Sequence, residues 1–383
     1  MTISNLPISN LLGTNLKRSL SSYLKYGKFD MLTINGAYGE GGGQIIRTTL
    51  ALSVILTQPV RIINIRAKRK NPGLMAQHLT GVNAAAMICD ATLTGNQLGS
   101  TELTFEPQSL PVAGDYAFDV AESREGGSAG AATLVLQTIV LPLALASGSS
   151  QVTVKGGTHV PWSPSFHYYN EVFLPMLRRV GFESRASLLA WGWYPAGEGE
   201  LFVEICGSST PDTGQWPMER GALQRVSGLA VASSLPAYIA QRMANRAINL
   251  LSDAGLPHAI QPQRVRSTSP GAGIFLTAEY ESGAAGFTAL GRKGKSSEHV
   301  AEEAVESLLA FHRSRALLDV HLADQMILPL ALSGFCGPVS VQKISQHTLT
   351  NLWVVEQFLG PVAQINAKKK IIDFIERDAY ARP

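Results

Sequence analysis

An acid, an amide and a guanidinium recur at near-helical spacing around a run of glycines: Glu40, Gln44 and Arg47 in the segment Gly36-Ala-Tyr-Gly39-Glu40-Gly41-Gly42-Gly43-Gln44-Ile-Ile-Arg47. Steps of three or four residues let side chains share one helix face. The set suits a metal ion beside a phosphate, with oxygens for the cation and a fork of N–H donors for the anion. Glycines let backbone approach a ligand closely, and the free N–H groups of a helix start favour negative charge. This is not a dinucleotide fingerprint, because the G-x-G-x-x-G spacing and its following acid are absent. Nor is there a Walker loop. The nearest candidate, Gly294-Lys295-Ser296, has Ala289 where the leading glycine should stand and reads as an exposed basic turn before a helix.

A second cluster follows in Ile65-Arg66-Ala-Lys68-Arg69-Lys70-Asn-Pro-Gly73-Leu-Met-Ala-Gln77-His78, a basic loop running into a helix. Arg66 and Arg69 are suited to bidentate phosphate contacts, with Gln77 and His78 in the first helical turns. Gln137 is an amide inside the apolar helix Leu134 to Ala146, where a buried polar group needs a partner. His321 and Asp324 are spaced i, i+3 on a helix, compatible with a metal site. His347 opens a helix in Ser-Gln-His-Thr-Leu-Thr-Asn. A histidine at a helix start is as compatible with a cap or a surface residue as with chemistry, although a neutral imidazole can act as a nucleophile at physiological pH.

The elements that position these residues repeat. Leu50-Ala-Leu-Ser53 leads through a polar turn to Val60-Arg-Ile62, Leu143-Ala-Leu-Ala146 to Val152-Thr-Val154, and Leu330-Ala-Leu-Ser333 to Val339-Ser-Val341. Each is the end of a buried helix, a turn, then an alternating strand. A second helix follows each strand, at about 73–90, 166–181 and 347–359. The third copy comes after about twice the spacing of the first two, so one segment is inserted before it. That segment reads as strand 225–232, helix 237–251, strands near 258–265, 272–280 and 285–290, and helix 297–316. The fold class is α/β (α+β), repeated sheet-plus-two-helix units with a separate small domain.

With 383 residues, 45% of them hydrophobic and 16% charged, the chain is a folded protein of two or three domains. The net charge of +3 leaves room for a local basic site without a basic surface. Cys89, Cys206 and Cys336 form neither a disulfide framework nor a zinc motif, and a reducing cytoplasm is the expected setting. No apolar window is long enough for a membrane span. Residues 1–30, basic and acid-poor, are expected to be a disordered extension or an over-long gene start ahead of Met31.

Read together, Gly-Glu-Gly-Gly-Gly-Gln-Ile-x-Arg (39–47), Lys-Asn-Pro-Gly-Leu with Gln-His-Leu-Thr (70–80) and Leu-Val-Leu-Gln-Thr (134–138) resemble the RNA 3'-terminal phosphate cyclase family. The resemblance continues through Gly-Gly-Thr (156–158), His-Leu-Ala-Asp-Gln (321–325) and His-Thr-Leu-Thr-Asn (347–351). It implies a main domain of three β-α-β-α-β-β units over 31–219 and 317–383, with a thioredoxin-like insert over 220–316. It also implies ATP-dependent conversion of an RNA 3'-phosphate to a 2',3'-cyclic phosphodiester, through a covalent AMP-histidine and an RNA-3'pp5'A intermediate. His347 would be the nucleophile. Gln137, Pro164 and the run His321, Leu322, Ala323, Asp324, Gln325 would hold ATP, His321 and Pro164 flanking the adenine. Glu40 and Gln137 would hold Mg²⁺ or Mn²⁺, and Arg47, Arg66, Arg69, Gln77 and His78 the RNA terminal phosphate. An RNA 3'-phosphate end is the implied partner, with no obligate protein partner. Two rivals differ in class: cyclase-like proteins of ribosome assembly, which lack the nucleophilic histidine, and transferases resembling the enolpyruvyl transferases, which need no covalent AMP.

Overall fold

The computed structural model describes residues 30–123, 128–211 and 216–376, so the leader expected over 1–30 lies outside the described residues except for Asp30. The first unit runs β1 (Leu32–Asn35), α1 (Gly43–Leu56), β2 (Val60–Ile63), α2 (Ala76–Met87), β3 (Thr92–Thr94) and β4 (Leu103–Glu106). Helix α1 starts no earlier than Gly43 because Gly39 and Gly41 stand at φ +54° and +59°, outside the right-handed helical region. Glu40 therefore lies in a turn, and does not share a helix face with Gln44 and Arg47 as their spacing suggested. From Ile45 to Leu56 the helix is almost wholly buried, and β2 alternates buried with more exposed positions.

The second unit runs β5 (Asp115–Asp119), α3 (Ala132–Leu145), β6 (Ser150–Gly156), a helical stretch α4 over 166–179, β7 (Ser184–Ala190) and β8 (Gly199–Ile205). Within α4, Tyr169–Phe173 widen into a π-turn just ahead of Pro175, which has no N–H to give an i−4 carbonyl. Next come β9 (Leu223–Ser233), α5 (Ala237–Asp253), β10 (His258–Val265), β11 (Gly271–Tyr280), β12 (Gly283–Leu290) and α6 (Ser297–Ser314). The chain ends with α7 (Val320–Gln325), α8 (Ile327–Ser333), β13 (Gly337–Ser340), α9 (Gln346–Leu359), β14 (Ala363–Asn366) and β15 (Ile371–Phe374).

Two sheets have the same order, β1-β2-β4-β3 and β5-β6-β8-β7, each with one parallel pair at the edge and antiparallel pairs beyond it. A third, β13-β15-β14, is antiparallel, and Leu318 adds a single parallel bridge to Val341 at the edge where a first strand would lie. The three helix–turn–strand transitions read in the sequence are α1–β2, α3–β6 and α8–β13. One continuous core joins all three sheets, from Ile34 and Val60 through Val152 and Leu201 to Val339 and Ile372. The fourth sheet, β10-β9-β11-β12, carries α5 and α6 on a core of its own, with Val226, Leu276, Leu308 and Phe311. The turn at Lys295 is less open than the sequence suggested: its side chain is 9% exposed and its ammonium meets Glu303 at 2.5 Å.

Candidate active site

Helices α1, α7 and α9 converge, with the starts of α1 and α9 meeting the C-terminal end of α7. His347, in the first turn of α9 behind the Ser345 cap, lies between two carboxylates. Its Nε2 is 3.2 Å from Glu40 Oε2 and its Nδ1 is 3.7 Å from Asp324 Oδ2, while 47% of the side chain remains exposed. Burial holds the imidazole below the ordinary histidine range; the positive charges of Arg47 and Arg69 and the nearby His321 act the same way, and Glu40 opposes them. The ring is thus neutral at physiological pH, the form with a lone pair to offer.

The same carboxylates tie in the cations. Glu40 Oε2 accepts from Arg69 at 3.2 Å. Burial pushes the Asp324 carboxyl up to about 7, with Asp319 adding to the rise and Arg47 opposing it. Arg47 is itself lowered to about 10 by burial and so keeps its charge. Between these helices lies a cavity of about 60 Å³ lined by Gln44, Arg47, Gln137, Asp324, Gln325 and Asn351 among others. Gln137 donates to Gln325 Oε1 at 3.1 Å across it. Gln44 donates to the carbonyl of His347 at 3.2 Å, and its buried Oε1 has no partner. Such an orphaned acceptor calls for a cation or a donor from a ligand.

Two close approaches fix the Gly-rich turn against α9. Tyr38 stacks on Trp353 with centroids 3.9 Å apart. A Cβ at Gly39 would stand 2.5 Å from Thr350 Oγ1, so only glycine fits there.

A match to the family model for RNA 3'-terminal phosphate cyclase covers residues 38–365. The chain belongs to the RNA 3'-terminal phosphate cyclase family. It is similar to the RNA 3'-terminal phosphate cyclase of Methylococcus capsulatus, with 54% identity over 86% of this chain and 91% of that one. A cyclase of the same name from Nostoc punctiforme is 52% identical, covering 89% and 98% of the two chains. The relative from Pyrococcus furiosus is 41% identical over 88% and 95%.

The sequence-predicted cyclase residues do not all fall in one place. Glu40, Arg47, Arg69, Asp324 and His347 are together, with Gln137 and Gln325 across the cavity. His78 is buried beside Gly43, whose Cβ would lie 2.3 Å from its Nε2. It accepts the Met75 N–H at Nδ1, and burial, with Arg47 and Arg66, lowers it to about 3, so it is a neutral donor through Nε2. Arg66 is turned onto the carbonyls of Asn71 and Gly73, bracing the basic loop. Gln77 accepts the N–H of Ala131, the residue that caps α3. His321 is exposed in the first turn of α7, edge-on to Tyr168 at 6.3 Å. The Pro164 carbonyl accepts from Thr133, and Leu322 and Ala323 are buried in the core beneath.

Two positioning residues escaped sequence reasoning. Asn351 donates to the Asp324 carbonyl and accepts from Thr48, joining the three helices. Its i, i+4 relation to His347 was the available signal. Asp319 caps α7 by accepting from His321 and Leu322 and also accepts from the Tyr168 hydroxyl at 2.9 Å. An aspartate just ahead of a short helix is an N-cap signal, and the sequence carried it.

Proposed function

We propose that this chain converts an RNA 3'-terminal phosphate to a 2',3'-cyclic phosphodiester at the expense of ATP, with His347 as the nucleophile. The observation that carries this reading is the neutral imidazole of His347 set between Glu40 and Asp324, beside a cavity rimmed by Arg47 and four amide side chains. A ring nitrogen of His347 attacks the α-phosphorus of ATP, the P–N bond forms, and the P–O bond to pyrophosphate breaks. An oxygen of the RNA 3'-phosphate then attacks the same phosphorus and releases the histidine, giving RNA-3'pp5'A. Finally the 2'-hydroxyl, losing its proton, attacks the 3'-phosphorus and expels AMP.

Charge decides how the chain's own groups divide these steps. Arg47 and Arg69 lie on the side of Glu40 and His347, where the 3'-phosphate must arrive, and His78 offers an N–H beside Gly43. Residues 321–325 and Pro164 are assigned to ATP, with His321 exposed to meet the adenine. Among the described residues no three acidic or imidazole groups form a metal cage. The oxygens present instead suit a cation that ATP itself partly coordinates: the orphaned Gln44 Oε1, with Glu40 and Gln137 as assigned. Mg²⁺ or Mn²⁺ would supply charge neutralisation on the departing pyrophosphate. Gln77 and Arg66 take supporting places in this reading, through Ala131 and the basic loop.

The same proposal takes 31–219 and 317–383 as the catalytic body and 220–316 as an inserted domain, supported by the separate core of the fourth sheet. Its setting would be the cytoplasm, which suits three free cysteines. The test is a 3'-phosphorylated oligoribonucleotide incubated with ATP and Mg²⁺. Its terminal phosphate should become resistant to phosphatase, one AMP appearing per end protected. Ends that stay phosphatase-sensitive with the wild-type protein would overturn the proposal.

A further inference from the structure

Trp162 is 98% exposed and stands in the left-handed region at φ +61°. A bulky residue gains nothing for the fold from such a conformation, which costs backbone energy and buries no surface. Close by in the topology is Tyr194, 70% exposed. His159 and Trp193 form a parallel bridge, and His159 N–H donates to the Gly192 carbonyl at 2.9 Å, so the two chain segments leave that bridge side by side. Trp162 is the third residue beyond the bridge on one segment and Tyr194 the first on the other.

Three cations join them from the fourth sheet. Trp193 packs its ring over Gly271, where a Cβ would lie 2.1 Å from the indole, and Ala196 N–H donates to Ser269 Oγ at 3.0 Å. This brings the ends of β10, β11 and β12 to the segment that carries Tyr194, since Ser233 registers with both Val265 and Gly271, and Gly273 with Leu290. Directly outside those strand ends are Arg266, Arg292 and Lys293, all exposed, and none of the three has an ion-pair partner among the described residues. Two exposed aromatic rings beside unpaired cations are the components of a single-strand platform, rings for bases and cations for phosphates.

The platform also points to the active site. Two residues after Trp162 comes Pro164, then Ser165, which caps α4, and then Tyr168, whose ring meets His321. We propose that this junction binds the single-stranded RNA upstream of the reacting 3'-end, bases stacking on Trp162 and Tyr194 and phosphates meeting Arg266, Arg292 and Lys293. The inference rests on the RNA-end chemistry proposed above and adds a second, length-dependent subsite to it.

Both rings are in solvent, so their removal leaves the fold in place. Steady-state cyclisation should be compared for a 3'-phosphorylated dinucleotide and a 3'-phosphorylated 12-mer. The wild-type protein should show a lower KM for the longer strand, with a steeper rise in salt. Trp162→Ala with Tyr194→Ala, and separately Arg266→Ser with Arg292→Ser and Lys293→Ser, should each raise the 12-mer KM by about tenfold or more. Neither should alter the dinucleotide KM or the uptake of AMP from ATP. Trp162→Phe should restore most of the 12-mer affinity, because a ring remains to stack. A 12-mer KM unchanged in both variants, or raised equally with that of the dinucleotide, overturns the subsite. A wild-type protein that takes up no AMP and cyclises neither RNA overturns the underlying chemistry instead.

Discussion

Single side chains in the site carry opposed demands, and Asp324 shows them best. Its carboxyl rises to about 7 when folded, against about 3.9 for an unfolded aspartate. Between those values the folded chain holds a proton that the unfolded chain has lost, so this group's contribution to stability falls as pH rises from about 4 to about 7. Asp324→Asn removes that loss. Its melting temperature relative to wild type should therefore climb between pH 4 and pH 8; a difference that stays constant with pH would contradict the assignment. Gln77 makes a different case. The family resemblance implied a phosphate contact, and in the structure its Oε1 accepts the Ala131 N–H. Gln77→Ala should cost about 1–3 kcal/mol of stability by leaving that group unpaired, with little change in KM for RNA. Denaturant melts alongside kinetics separate the two roles, and a raised KM with unchanged stability would return Gln77 to the phosphate.

At the scale of elements, most of the organisation was legible because periodicity and turn chemistry act locally. The alternation of Val60-Arg-Ile, Val152-Thr-Val and Val339-Ser-Val marked strands that all formed, and the helices and strands expected over 225–316 fell within a few residues of their expected ends. Misreadings came where backbone geometry overrides spacing. Glu40 looked one turn from Gln44, but the left-handed glycines at 39 and 41 break any helix there and swing Glu40 towards Arg69 and His347. The partners of Arg66 and Gln77 were illegible for another reason. They are backbone groups, and a backbone carbonyl or N–H leaves no trace in residue type. Asn351 was passed over despite its i, i+4 spacing to His347, and its bridge to Asp324 on another helix left no signal in the sequence.

For the whole molecule, the question is how the fourth sheet is held against the body that contains His347. Several contacts do it, among them Ser165 with Thr288, Glu171 accepting from Thr277 at 2.7 Å, Arg179 donating to the Ser282 carbonyl, the Gly286 N–H donating to Asp319, and Trp193 pressed on Gly271. Around Trp193 the rings of His159, His167, Trp191 and Phe275 pack together, and His159 and His167 share a hydrogen bond at 3.0 Å. Burial lowers both histidines, His167 to about 4, so the cluster is uncharged at neutral pH. Gly271→Ala places a methyl inside the Trp193 ring's space. It should destabilise the protein by about 1–3 kcal/mol and change tryptophan emission in the folded state, while adenylation persists. Unchanged stability and emission would mean that this junction is not packed as described.

In the proposed reaction His347 carries AMP. Incubating the protein with ATP labelled at the α-phosphate and Mg²⁺, then mapping the modified peptide by mass spectrometry, locates the adenylyl group. One adenylyl group should be found on the imidazole of His347, labile in acid and stable in alkali, and none should form in His347→Ala despite a normal melting curve. Label retained by that variant, or located on His321, would rule out His347 as the nucleophile.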